Sequence, residues 1–106
     1  MFNGHGKYIF KEGGGKHNYT GEFVNGAITG KGRMNFKNDD IAEGMFVNGK
    51  CNGPGKVWKY NGDVYEGGLR NNFYHGRGKI TYKAGGFYDG DWNDGYATGH
   101  GTKKFQ

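Results

Sequence analysis

The chain has 106 residues, of which 24 are glycine, one is proline and 17% are aromatic, with a net charge of +5. That length suits one domain. Glycine together with large rings excludes a flexible linker, which would lack apolar mass, and the glycines are not at every third position as in collagen. No apolar run approaches the roughly 18 residues of a membrane span, and MFNGHGKYIF has no apolar segment of a secretory leader, so neither is expected.

From the N-terminus, GHGKYIFK (4–11) reads as a strand with Tyr8 and Phe10 on one face. KEGGGKHN (11–18) reads as a lengthened loop. Tyr19-Thr-Gly-Glu-Phe23 follows, then the turn signal Asn25-Gly26, then GKGRMNFK (30–37) with Met34 and Phe36 on one face. The same order recurs at a step of 23 residues. Ala42-Glu-Gly-Met-Phe46, Tyr65-Glu-Gly-Gly-Leu69 and Tyr88-Asp-Gly-Asp-Trp92 keep glycine third and a large apolar residue fifth. Between them GPGKVWKY (53–60) and GRGKITYK (76–83) keep the Gly-x-Gly opening, as does GHGTKKFQ (99–106).

Recurrence at a fixed step marks a repeat array. Each unit alternates with period two, as strands packed on one face do, so each is a β-hairpin. Nine strands at about 4.8 Å would give an antiparallel sheet roughly 40 Å long. The fold class is all-β: an elongated, single-layer array of stacked hairpins, stabilised mainly by its neighbours. It divides into a partial repeat at 1–18 and successive repeats at 19–41, 42–64, 65–87 and 88–106 of one domain. Gly21, Gly44, Gly67 and Gly90, with Gly30, Gly53, Gly76 and Gly99, are read as structural. They leave room for a ring of the adjacent strand to lie across the backbone, and they permit twist. Two departures stand out. Ala42 takes the place of the repeating tyrosine. Lys59 takes an aromatic place between Trp58 and Tyr60, which implies a bulge or a Trp58 turned to the other face.

The motif YxGxW followed by GxxxGxG at a 23-residue step, seen best in Tyr88-Asp-Gly-Asp-Trp92…Gly95…Gly99-His-Gly101, resembles the MORN repeat family. The resemblance covers about residues 19–101, with partial copies at both ends. It implies an elongated twisted sheet of hairpins and a non-catalytic role: protein binding, scaffolding, self-association or contact with acidic phospholipid.

The repeat-facing residues Tyr19, Phe23, Phe36, Phe46, Tyr65, Leu69, Tyr82, Tyr88 and Trp92 form either core or, if no second layer covers them, a groove for a helix or extended segment of a protein partner. Charge is sorted by strand. The five Gly-x-Gly segments hold 12 of the 15 Lys and Arg and no acid; the Tyr-x-Gly segments hold six acids and one base, Arg70. Cross-strand pairing accounts for this arrangement. A basic ridge of Lys7, Lys31, Arg33, Arg77 and Lys79 that meets an acidic protein or acidic phospholipid is the functional alternative. Nucleic acid is not expected, because a phosphate track wants an uninterrupted basic groove.

No enzyme chemistry is visible. GGGKH (13–17) lacks the first glycine and the Ser/Thr of a phosphate loop. Serine is absent, Cys51 has no partner for a disulfide or a zinc set, and the histidines lack ligand spacing. Asp39-Asp40 reads as a loop turn. No cofactor or metal is expected. Edge strands at either end invite pairing with another copy or another subunit. The setting expected is a cytoplasmic assembly, cytoskeletal, ciliary or membrane-associated.

Overall fold

The structure is a computed structural model, and it describes residues 3–10 and 16–105. The lengthened loop and the phosphate-loop look-alike both fall largely on 11–15, outside the described residues. Nine strands form one antiparallel sheet in simple sequence order: β1 (Gly4–Ile9), β2 (Lys16–Val24), β3 (Ala27–Phe36), β4 (Ile41–Val47), β5 (Lys50–Trp58), β6 (Val64–Arg70), β7 (Phe73–Thr81), β8 (Phe87–Asn93) and β9 (Tyr96–Lys104). The expected all-β array is therefore present, and its long axis is 48 Å.

Two kinds of connection alternate. Tight turns at 25–26, 48–49, 71–72 and 94–95 have positive φ at both central residues, the geometry of a type I′ hairpin. Three of them are Asn-Gly or Asp-Gly. The fourth is Asn71-Asn72, where asparagine takes the left-handed conformation at φ 73°. Wider loops follow β3, β5 and β7, and two of them are held by an Asx turn. Asp40 N donates to Asn38 Oδ1 at 3.0 Å, and Asp63 N donates to Asn61 Oδ1 at 3.0 Å.

Consecutive hairpins are tied through their turns. Gly49, Asn72 and Gly95 each donate a backbone N–H to the carbonyl 21 residues back, at Ile28, Cys51 and Tyr74, over 2.8–3.0 Å. The first turn residue is tied by a side chain of the preceding hairpin: Asn25 N donates to Asn3 Oδ1, Asn48 N to Thr29 Oγ1, Asn71 N to Asn52 Oδ1 and Asp94 N to His75 Nδ1. Such nearest-neighbour ties are what stabilise a solenoid whose single units bury little.

A row of glycines crosses the whole sheet. In strand-to-strand register, Gly6, Gly21, Gly32, Gly44, Gly55, Gly67, Gly78, Gly90 and Gly101 stand opposite one another. The repeating tyrosines lie over this row. A Cβ on Gly32 would collide with the Tyr19 ring, and one on Gly78 with the Tyr65 ring. Each hydroxyl donates to the carbonyl three residues on: Tyr19 to Glu22 at 2.9 Å, Tyr65 to Gly68 at 2.7 Å, Tyr88 to Asp91 at 3.1 Å. The first glycine of each Gly-x-Gly pair has a different task. Gly53, Gly76 and Gly99 meet nothing within 4 Å at a built Cβ, but they hold φ of 80–96° at the centre of a bulge. There one residue of the even strand faces three of the odd one, as Gly68 does between the pairs Gly67↔Gly78 and Leu69↔Tyr74.

Bulges in β3, β5, β7 and β9 curl the sheet, and curling closes one face on itself. A flat single layer could not hide a ring completely, yet Tyr19 and Tyr65 are wholly buried. The core on this inner face is Tyr19, Phe23, Met34, Ala42, Phe46, Cys51, Val57, Tyr65, Leu69, Ile80, Tyr88 and Trp92.

Candidate functional site

Seven of the nine residues expected to form a groove are core: Tyr19, Phe23, Phe46, Tyr65, Leu69, Tyr88 and Trp92 are all at most 8% exposed. The groove expectation is narrowed accordingly, because rings packed edge to face offer a partner little surface. Phe36 is half-buried against the core. Tyr82, expected beside Ile80 on the inner face, is 36% exposed. Its strand has already ended at Thr81, and its N–H closes the loop to Gly86 O at 3.1 Å.

Among the described residues the buried rings of the core group into an N-terminal and a C-terminal cluster. In the N-terminal half, Tyr19 meets Phe23 at 5.4 Å and Phe46 at 5.3 Å, edge to face. In the C-terminal half, Tyr65 stacks on Tyr74 at 3.9 Å, and Trp92 stands edge-on to Tyr65, Tyr74 and Tyr88 at 5.1–5.5 Å. Trp92 Nε1 donates to Gly78 O at 3.0 Å, so the indole is satisfied within the core. Burial pushes the Tyr65 and Tyr74 phenols up to about 12, with neighbouring Tyr74 adding to the first, and Asp40 and Asp63 to the second.

Between the two clusters lies a cleft of about 530 Å³. Phe36, Ala42, Cys51, Val57, Leu69, Phe73 and Tyr74 form its apolar walls, and Asp40, Lys59 and Asn72 its polar rim. The cleft exists because one repeat is undersized. Ala42 stands where its neighbours carry Tyr19 and Tyr65. Cys51 stands where they carry Ile28 and Tyr74. Burial raises the Cys51 thiol to about 11, so it stays protonated and serves as a small apolar group.

Lys59 replaces the aromatic of the flanking repeats, and its ammonium donates to Asp40 Oδ2 at 2.8 Å. Asp40 is 7% exposed and is satisfied on all sides, by Lys59, by Tyr60 N–H at 2.8 Å and by the Asn38 amide at 3.1 Å. Burial alone would raise its pKa. The Lys59 hydrogen bond, the Tyr60 N–H, the Lys59 charge and the Asn38 amide outweigh that and hold it below the ordinary value. Among the described residues no buried side-chain polar atom lacks a partner. The register of β5 with β6 runs unbroken to Trp58, so Trp58 sits on the outer face without a bulge there.

That outer face carries a charge ladder. Lys7, Thr20, Arg33, Glu43, Lys56, Glu66, Lys79, Asp89 and Thr102 stand opposite one another, one from each strand. Ion pairs join Arg33 to Glu43 at 3.9 Å, Lys56 to Glu66 at 4.0 Å and Arg77 to Asp89 at 3.6 Å. Lys56 and Arg33 also lie over the Trp58 ring, and Lys79 over Phe87 at 4.6 Å. Lys7, Lys31, Arg33, Arg77 and Lys79 are all exposed, but they occupy two rows rather than one ridge, and Glu43 and Glu66 come between Arg33 and Lys79. Lys31 lies opposite Met45, and its backbone N–H donates to Glu22 Oε1 at 2.6 Å.

Among the described residues no group of three or more His, Cys, Asp or Glu is placed to hold a metal ion. The model of the MORN repeat matches residues 1–15, 19–41, 43–64, 65–87 and 88–106. The chain belongs to the MORN repeat family. MORN repeats are in general protein- or membrane-binding modules, and the family is typically non-enzymatic. No curated protein matches this sequence. Within this MORN array, Asp40, Cys51, Val57 and Tyr74 line the cleft, and the motif does not single them out. Their signal is the comparison of equivalent positions 23 residues apart: Ile28, Cys51 and Tyr74 differ in size where the motif itself is silent.

Proposed function

We propose that this chain is a non-enzymatic binding and scaffold module that holds a helix or extended segment of a protein partner on its inner face, within a larger cytoskeletal, ciliary or membrane-associated assembly. The observation that carries the reading is the cleft between the two ring clusters, where the inner face is apolar and open. A cleft of this size and lining suits side chains of a partner segment. The outer edges of β1 and β9 have no strand beside them among the described residues, and they offer a second mode, strand pairing with another copy or subunit.

The alternative is a peripheral adaptor that meets acidic phospholipid through Lys7, Lys31, Arg33, Arg77 and Lys79. The alternating carboxylates of the charge ladder disfavour it, since each lies within a strand spacing of a base. Flotation with vesicles of neutral lipid, and with vesicles containing phosphatidylserine, separates the two, run beside affinity capture at native abundance. The protein-binding reading expects a stoichiometric protein that is retained in 0.5 M salt and in a Lys31/Arg33/Lys79 charge-reversed variant. Flotation only with phosphatidylserine, abolished by the same changes and with no protein captured, would reverse the order of the two readings.

A further inference from the structure

The cleft is a vacancy in a repeating pattern, and the pattern says what is missing. In repeats 19–41 and 65–87 a phenol ring lies over the glycine row. In repeat 42–64 the ring is absent and Leu69 lies over Gly55 in its place: a Cβ there would meet Leu69 Cδ1 at 2.7 Å, Glu43 O at 2.9 Å and Cys51 Sγ at 3.6 Å, and the open space lies beside them, over Ala42 and Val57. Three changes coincide on one face of one repeat. Alanine replaces tyrosine at 42, cysteine replaces Ile28 or Tyr74 at 51, and Lys59 is drawn aside to Asp40. The result is open space walled by Phe36, Val57, Leu69 and Tyr74, the last of them a ring of the C-terminal cluster.

We propose that this cleft receives one large aromatic side chain, the phenol of a tyrosine or the indole of a tryptophan, carried by the partner segment. The proposal rests on the protein-binding reading above and deepens it. The neighbouring repeats supply the argument for the occupant, since each fills the equivalent space with a ring whose polar tip meets a backbone carbonyl. The walls suit a ring, because aromatic groups gain from edge and face contacts beyond their buried area. The rim suits a polar tip. Lys59 is 34% exposed at its side chain and has three donors, and Asp40 takes one of them.

The first test uses p-cresol and 3-methylindole as side-chain probes, with cyclohexylmethanol as the non-aromatic control, read by backbone amide shifts. Saturable shifts at Ala42, Val57 and Leu69 are expected, with the control about two- to tenfold weaker. Ala42→Tyr should abolish them, because it installs the missing ring. Cys51→Ile, which copies the residue at position 28, should do the same from the other wall and serves if the first variant does not fold. No saturable shift at these amides, or unchanged binding in a folded filled variant, overturns the proposal. The second test selects random peptides displayed on phage against the intact chain. Winners that carry tyrosine or tryptophan and fail on the filled variants support it. Winners that bind the inner face without an aromatic residue overturn the cleft assignment and leave the protein-binding reading standing. No winners, together with binding to phosphatidylserine vesicles, overturns both.

Discussion

Lys59 Nζ sits 2.8 Å from Asp40 Oδ2, and the carboxylate is almost entirely covered. Lys59 stands where the neighbouring repeats carry Phe36 and Tyr82, and the pair pins the loop after β3 to the end of β5. Removing the charge with Asp40→Asn should cost about 1.5 kcal/mol, the low end for a hydrogen bond to a charged group, because Lys59 can turn to water. The pKa of Asp40 is depressed in the fold, so its contribution is complete above the ordinary value of 3.8 and lost as pH falls through the folded value. Urea melts should therefore show the variant less stable at neutral pH, with the gap closing under acid conditions. A gap that stays constant with pH would remove the ion pair from the account.

Gly78→Ala and Gly53→Ala separate the two kinds of glycine. At Gly78 a methyl would collide with the Tyr65 ring, so the variant should lose about 1–3 kcal/mol by overpacking. Cutting the ring back with Tyr65→Ala in the same chain should make the second change nearly free. At Gly53 a Cβ meets nothing within 4 Å, and φ is 89°. The cost there is backbone strain of about 1–2 kcal/mol, independent of Tyr65. A double-mutant cycle on thermal or urea melts checks this, and equal coupling at both glycines would refute the distinction.

Alkaline pH should open the C-terminal ring cluster. Tyr65 and Tyr74 hold their protons to about 12 in the fold, against 10.0 ordinarily, because burial penalises the phenolate. The unfolded chain releases those protons earlier, so stability is full below about 10 and falls as pH rises through 12. Absorbance at 295 nm should show a late phenolate phase that coincides with loss of near-UV circular dichroism. Tyr74→Phe should move that phase to higher pH. A late phase with intact near-UV signal would show that the rings ionise without unpacking.

The array was legible in the sequence because its physics is periodic. Tyr19, Tyr65 and Tyr88 recur over glycines that recur with them, and the inner-face assignment follows from period two. What is not periodic was harder to read. Gly32 and Gly30 look alike as letters, yet one makes room for a ring and the other turns a bulge; only the register tells them apart. Asn72 closes a turn where the other repeats use glycine. Tyr82 follows the alternation on paper, but it lies past the strand end at Thr81 and leaves the core. The gap at Ala42 and the odd Lys59 were visible as exceptions. That they share one cleft with Cys51 and Tyr74 depends on the curl of the sheet, which no single repeat encodes.

The charge ladder places a constraint on how such a chain can change its length. From Arg33 to Asp89 the signs alternate on successive strands, so excising or duplicating a whole hairpin within β3–β8 leaves each of those strands beside one of opposite sign. Losing a single strand from β4–β7 would bring two of the same sign together where it was removed. Growth and shrinkage are thus limited to even steps, and the surface itself acts as the parity check.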